Sequence, residues 1–297
     1  MRFIRPYSAH QQAVDTRVLD AIDELDRRLR EQEGLNLGLL AEDLLEALES
    51  LRSRVAAGED VIAGSRALPY MSEGTLERYR DPFAGVVVGY REGGEPGGAN
   101  YRRFEEVFRG PEERVAERQR VFLSLLGGRE PVLDAGCGRG EFLDLLRDEG
   151  VSYAGVDVDE AMVERCRAKG HSQVHVGAAN DYLESLSDGQ LGAVFSAQVI
   201  EHMPYKELMS FLELSRAKLR EGGVLVAETM NPHAPHALKT FWVDPTHQHP
   251  LFPEVALVLC RLAGFDSGYF FHPLGTGHVD DDRYRESEYA VVATKTP

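Results

Sequence analysis

Apolar residues recur along the chain in two rhythms, and the change falls near residue 100. From Gln11 to Glu33 they stand at Val14, Val18, Ile22, Leu25 and Leu29, in steps of three and four separated by charged residues. That spacing predicts an amphipathic helix. After Gly34 the residues Leu40, Leu44, Leu48, Leu51 and Val55 repeat the rhythm and predict a second helix. Narrow stripes on successive helices predict a helical hairpin or short coiled coil, whose expected role is self-association into a homo-oligomer or a lid. An irregular segment follows, including Asp81-Pro82, and the run Gly93-Gly94-Glu95-Pro96-Gly97-Gly98 reads as a linker or mobile loop. Residues 1–99 are thus expected to form a helical region with a linker, and residues 100–297 the main domain.

From Tyr101 onward helical and strand patterns alternate. Val107, Phe108, Val115, Phe122 and Leu125 predict helical segments ahead of a short strand, Pro131 to Asp134. Phe142, Leu145 and Leu146 share a helix face ended by Gly150. Strands are predicted over 153–157, 174–176, 191–197 and 224–229, with helices over 160–169 and 205–219, the latter closed by Gly222-Gly223. The tail offers one more helix, 253–263, and a last strand, 289–293. Strands alternating with helices at this spacing predict an α/β fold with a doubly wound, mostly parallel sheet.

Composition narrows the classes of function. With 33 Lys and Arg against 49 Asp and Glu, the net charge is −16, which disfavours nucleic acid as a partner. Cys137, Cys166 and Cys260 are far apart and form no CxxC pair, so neither a disulfide framework nor a structural zinc site is expected. No apolar run is long enough to span a membrane. The opening MRFIRPYSAH has no apolar core of signal-peptide length, and a cytoplasmic location is expected.

The densest chemical signal is Val132-Leu-Asp-Ala-Gly-Cys-Gly-Arg-Gly-Glu-Phe-Leu143, a strand running into Gly136, Gly138 and Gly140 and then a helix. Glycines there let the chain turn sharply and let a ligand approach the backbone amides. The spacing GxGxG differs from the dinucleotide fingerprint GxGxxG, and an acidic residue, Asp134, precedes it by two. The next strand ends in Gly155-Val-Asp157, seventeen residues past the last glycine, where a carboxylate can take a ribose diol. Together these features resemble the class I S-adenosylmethionine-dependent methyltransferases. The resemblance spans Tyr101 to the C-terminus and implies a Rossmann-like, seven-stranded sheet with an N-terminal helical extension. It also implies S-adenosyl-L-methionine as cofactor. Carried over by position, Asp134 and the loop glycines would hold the methionine part, Asp157 the ribose, and Val158 and Met162 the adenine. The family's acidic adenine contact after the third strand is absent: Ala178 stands there, leaving backbone at Ala178 and Ala179, or Asn180 or Asp181 after a shift, for that work. Gln198, with Tyr101 and Arg109 from the preceding helix, completes the expected cofactor set.

The fourth strand runs into Phe195-Ser-Ala-Gln-Val-Ile-Glu-His-Met-Pro204. Its Glu201-His202 pair resembles the EH of methyltransferases acting on small molecules and sugars. After the fifth strand, His233, His236, His247 and His249 crowd into seventeen positions beside Trp242, the chain's only tryptophan. The NPH and DPTHxxPL patterns there resemble methyltransferases of bacterial polysaccharide and glycolipid pathways, implying an O-methyltransferase acting on a saccharide or glycan-like hydroxyl. A hydroxyl needs a base, and histidine has a suitable pKa. His247, His202 and Glu201 are therefore the catalytic candidates, and His233, His236, Trp242 and His249 the acceptor contacts. Gln198-Val-Ile-Glu-His202 also resembles the ExxEH of plant small-RNA 2′-O-methyltransferases, with Gln198 in place of the first glutamate; this implies either a divalent metal held by Gln198, Glu201, His202 and His247 or His249, or loss of the metal with His247 or His202 left as a plain base. Two other readings remain: an O- or N-methyltransferase of natural-product scaffolds, and a non-catalytic scaffold protein with a vestigial cofactor domain.

Overall fold

A computed structural model describes residues 75–91 and 107–296 continuously, and before them residues 24, 44–52, 55, 58, 70, 71 and 73. The whole first apolar stripe, the glycine-rich linker and Tyr101 lie outside the described residues, and Glu24, within the first predicted helix, is helical. Residues 44–52 are helical, and Leu44, Leu48 and Val55 of the second stripe are exposed. The chain divides into two compact units, Met1–Glu59 and Asp60–Pro297. Among the described residues no helix is long and apolar enough to cross a membrane.

The segment around Asp81-Pro82, expected to be irregular, is a hairpin in which β1 (Glu77–Asp81) pairs antiparallel with β2 (Gly85–Gly89). The Asp81 carboxylate accepts the N–H groups of Phe83 and Ala84, each at 2.8 Å, and Gly85 supplies the left-handed φ that closes the turn. The Val86–Val88 run adds strand propensity.

The main sheet has seven strands: β3 (Val132–Ala135), β4 (Tyr153–Asp157), β5 (Val174–Val176), β6 (Leu191–Ala197), β7 (Leu219–Met230), β8 (Ser267–Phe271) and β9 (Glu288–Thr294). Their order is β5-β4-β3-β6-β7-β9-β8. The first five strands of that order are parallel, and β9 runs antiparallel to both β7 and β8. The α/β class and mostly parallel sheet are as expected from the sequence. Both faces are covered, so alternate residues enter different cores. Leu225 and Ala227 pack with Leu208, Phe211 and Leu212 of the helix Tyr205–Lys218. Val224 and Val226 pack with Phe122, Phe142 and Leu146 on the other face. Phe142 and Phe195 meet with ring centroids 3.8 Å apart, and burying one such ring contributes about 1.5–3 kcal/mol.

Three local expectations change. The helix from Tyr205 ends at Lys218, because β7 begins at Leu219 and absorbs Gly222-Gly223 as an irregularity in its pairing with β6. β8 is an additional strand at the sheet edge, its first three residues exposed. The histidine-rich stretch is not all loop, since Pro235–Phe241 is helical with its proline at the first turn, where a missing N–H costs nothing. Strand order reverses between β3 and β6, and that switch point opens a crevice at the carboxyl ends of the strands.

Candidate active site

A cleft of about 640 Å³ occupies this crevice. At one end the chain leaves β3 through Gly136, Gly138 and Gly140, with φ of 84°, 51° and 83°. Side chains there would be strained, and they would also lack room. A Cβ on Gly136 would run into Val199, one on Gly138 would stand 2.6 Å from the Arg109 guanidinium, and one on Gly140 2.9 Å from Cys166 Sγ. Gly136, Gly138 and Arg109 line the cleft. Gly140 lies behind it, where its missing side chain admits Cys166 of the helix Glu160–Ala168.

Asp134 is 3% exposed and sits beneath the loop rather than on the cleft wall. Burial, with Cys166, Glu141 and Asp157 nearby, pushes its carboxyl well above the usual carboxylate range. Asp157, at the end of β4, lines the cleft and accepts the Gly138 N–H at 2.8 Å and the Asp159 N–H at 2.9 Å. Burial raises its pKa, and those two N–H groups oppose the rise. Val158, Met162, Ala178, Ala179 and Gln198 line the same cleft.

The other end is built by the segments after β6 and β7. Ile200–His202 forms a single 3-10 turn, and the Gln248 N–H donates to the Glu201 carbonyl at 2.9 Å, docking the histidine loop onto that turn. Ligating atoms of Glu201, His202 and His247 thereby fall within 4.8 Å of one another. His202 and His247 line the cleft, their rings 4.6 Å apart.

Neighbours fix both imidazoles. The Thr246 hydroxyl donates to Asp244 Oδ1 at 2.7 Å, so its oxygen accepts His202 Nδ1–H at 2.8 Å. The Phe241 carbonyl, which can only accept, takes His247 Nδ1–H at 2.6 Å. Each ring so held carries its lone pair on Nε2. Burial, then the adjacent His247, lowers the His202 pKa to about 4, keeping the ring neutral near pH 7. Glu201 is 1% exposed, and the Thr229 side chain is a hydrogen-bonding neighbour of its carboxylate. Burial pushes its pKa up to about 8.

Gln198 turns its amide to Glu228, donating to Oε1 at 3.0 Å, rather than joining the Glu201–His202–His247 group. Its φ of 56° is unusual for a residue with a side chain, and such strain often marks a functional wall. Burial, then Glu288, pushes Glu228 up to about 7.

The remaining histidines are not brought together. His233 bonds Glu254 at 2.9 Å, His236 meets the Ser287 hydroxyl at 3.0 Å, and His249 is exposed. Trp242 is 62% exposed and packs on Phe241. None of these four lines the cleft, although Ser287 does. The expectation that this whole stretch caps the cleft therefore narrows to Thr240, Val243, Asp244, Thr246 and His247. Asp244 and Thr246 were not singled out from the sequence, yet Asp-x-Thr is the signature of the side-chain turn they make. The NPH pattern has a structural basis, with buried Asn231 donating to the Arg283 and Glu286 carbonyls and accepting the His233 N–H.

Comparison with known proteins adds identity to this geometry. A family model described as a methyltransferase domain matches residues 102–266, more than half of the chain. A probable S-adenosylmethionine-dependent methyltransferase of Mycolicibacterium smegmatis is 32% identical over 183 residues, 61% of this chain and 65% of that protein. The chain thus spans just under two thirds of that relative's length. A ubiquinone biosynthesis O-methyltransferase of Pseudomonas paraeruginosa is 28% identical over 107 residues, 34% of this chain and 44% of that protein. The crystal structure of a SAM-dependent methyltransferase from Archaeoglobus fulgidus, 31% identical, matches 66% of this chain and 99% of its own with a TM-score of 0.59. The chain belongs to the methyltransferase-domain family, whose cofactor is S-adenosylmethionine.

Proposed function

We propose that this chain transfers a methyl group from S-adenosylmethionine to a hydroxyl oxygen of a saccharide or glycan-like acceptor. Bound in the cleft, the cofactor supplies an electrophilic methyl group on a sulfonium. The residues present fit it. Gly136 and Gly138 bring bare backbone to the cleft wall, and the Arg109 guanidinium beside them suits a carboxylate. The half-buried Asp157 carboxylate offers acceptors to a ribose diol. Asp134 would act from beneath, holding the loop's shape.

The observation that carries the choice of oxygen is the acceptor end of the cleft, where Asp244, Thr246 and the Phe241 carbonyl set both histidines with Nε2 as acceptor. A hydroxyl must lose a proton as the new C–O bond forms, and the Glu201–His202–His247 cluster is where that proton would be drawn away. Alignment of the nucleophile supplies much of the remaining rate. Gln198, Asp244, Ser287 and Glu288 give this end several hydrogen-bonding side chains, which suit an acceptor bearing several hydroxyls. The name of the Pseudomonas relative supports oxygen as the methylated atom. It also favours an aromatic hydroxyl as the competing acceptor.

The test is transfer of labelled methyl from the cofactor onto a panel of sugars, glycolipids, phenols and amines. The expected product is a sugar O-methyl ether. Label found only on phenols or on nitrogen, from protein that binds the cofactor, refutes the saccharide reading.

A further inference from the structure

Arg139 stands in the middle of the glycine loop, yet its side chain turns away from the cleft and is buried, with the residue 6% exposed. A guanidinium that deep is retained where its charge is met. Glu141, 2% exposed at the start of the helix Glu141–Asp148, meets it: Oε1 accepts Arg139 Nε–H at 2.7 Å and lies 2.6 Å from Nη2. Both partners then reach the segment that carries Arg109. Arg139 Nη1 donates to the Gly110 carbonyl at 3.1 Å, holding the chain one residue past Arg109. The second oxygen of Glu141 faces Arg109 itself, 3.9 Å from Nη2. The backbone of Arg139 adds another tether, since its carbonyl accepts from the Lys169 ammonium at 2.7 Å, and that ammonium also donates to Glu112 at 2.6 Å. Residues 109–112 are thus bracketed from the loop.

Arg109 needs such bracketing. Its guanidinium lies over Gly138, where a Cβ would stand 2.6 Å from Nη2. It is also close enough to Asp134 and Asp157 to oppose the rise in their pKa values. Several carboxylates therefore compete for one side chain with many rotamers. At 3.9 Å the Glu141 contact is an ion pair, too long for a hydrogen bond, and it orients the guanidinium by charge.

We infer that Arg139 and Glu141 are positioning residues for the cofactor's carboxylate, acting through Arg109, whose guanidinium they hold over the glycine loop. Neither touches the cofactor. A donor already in place loses less freedom on binding, and a planar guanidinium makes two parallel bonds to a carboxylate in one orientation only. The inference rests on the cofactor reading of this cleft and is independent of the acceptor.

The test reads a preference. Full-length protein without acceptor is titrated by calorimetry with S-adenosylmethionine and with its decarboxylated form, which lacks only the carboxylate. Wild type should bind the first about tenfold more tightly, the worth of one charge-assisted hydrogen bond. Arg109→Ala should nearly abolish that ratio. Arg139→Gln and Glu141→Gln should cut it at least threefold while affinity for the decarboxylated form stays within twofold of wild type. The double variant Arg109→Ala/Arg139→Gln should bind S-adenosylmethionine no more weakly than Arg109→Ala. Arg139→Lys keeps the charge but loses the fork that spans Glu141 and Gly110, so its ratio should fall between; it carries the test where melting curves show that the neutral variants do not fold. An unchanged ratio in the folded Arg139 variants overturns the inference, as does equal weakening of both ligands, which a purely structural role would give. An unchanged ratio in Arg109→Ala refutes the assignment of Arg109 to the carboxylate and takes the inference with it. The expected ratios in protein that methylates no sugar refute the proposed acceptor and leave the positioning role standing.

Discussion

Replacing Asp157 by alanine separates the carboxylate's two duties. One is internal, since its oxygens accept the N–H groups of Gly138 and Asp159 at 2.8 and 2.9 Å. Those bonds use one direction on each oxygen, and each oxygen keeps a second for a ribose hydroxyl. A charge-assisted hydrogen bond contributes about 1.5–3 kcal/mol, and about 1.4 kcal/mol is tenfold in affinity. Loss of one ribose bond at the lower figure weakens the cofactor about tenfold, and loss of both about a hundredfold. The second effect is on the fold, because the Gly138 N–H loses its acceptor at a cost of about 1–3 kcal/mol. Calorimetry with S-adenosylhomocysteine reads the first effect without turnover, and a melting curve reads the second. Asp157→Asn keeps the volume, but its amide nitrogen must face one of the two N–H donors, so it should fall between alanine and wild type in affinity. An unchanged dissociation constant in folded Asp157→Ala refutes the assignment of this carboxylate to the ribose.

Three further outcomes are expected. Thr246→Val removes the hydroxyl that links Asp244 to His202; methyl transfer should fall at least tenfold while cofactor affinity, by calorimetry, stays constant. Burial raises Glu112 and Asp144, but the Lys169 ammonium, 2.6 and 3.1 Å away, outweighs it and holds both below the usual carboxylate range. Their contribution is therefore present above the unfolded pKa near 4 and lost as pH falls below it, so the melting temperature should drop more steeply below about pH 4 in wild type than in Lys169→Met. We propose that the N-terminal stripes carry self-association, and removal of residues 1–57 should lower the sedimentation mass while leaving cofactor affinity intact; an unchanged mass refutes this.

How much could be read from the sequence depended on what each signal encodes. β3, β6 and the second half of β7 were legible because strands covered on both faces become short apolar runs, and Val132–Ala135 and Leu191–Phe195 are wholly buried. β8 lies at an edge with Gly268 and exposed Tyr269 inside it, so its pattern is broken. In the cofactor half, GxGxG and the distal Asp157 were legible because backbone conformation and chemistry demand those residue types at fixed spacing. In the acceptor half, residue type alone pointed to histidines. Which of them would converge depended on the turn of Pro235–Phe241, a helix that the scattered polar residues concealed. His233 and Trp242 flank that helix and stand outside the cleft, while His247 is delivered by the Asp244 turn that follows.

The cleft's two ends also differ in what relatives can contribute. The glycine loop, Asp157 and the proposed adenine contacts Val158, Met162, Ala178 and Ala179 lie inside the region that the family model matches, residues 102–266. At the acceptor end the wall includes Ser287 and Glu288, which lie beyond that region. The latch that holds this end is likewise split: Asn231 lies within the match, but the carbonyls of Arg283 and Glu286 that receive its amide do not. Tyr289, on β9, ties the histidine loop down by donating its hydroxyl to the Leu251 carbonyl at 2.8 Å. The position of His247 is thus set partly by segments that the family region does not contain. A shared cofactor end with a privately built acceptor end is how one fold serves many acceptors, and it follows that acceptor choice should track residues 283–289 and their contacts rather than the glycine loop.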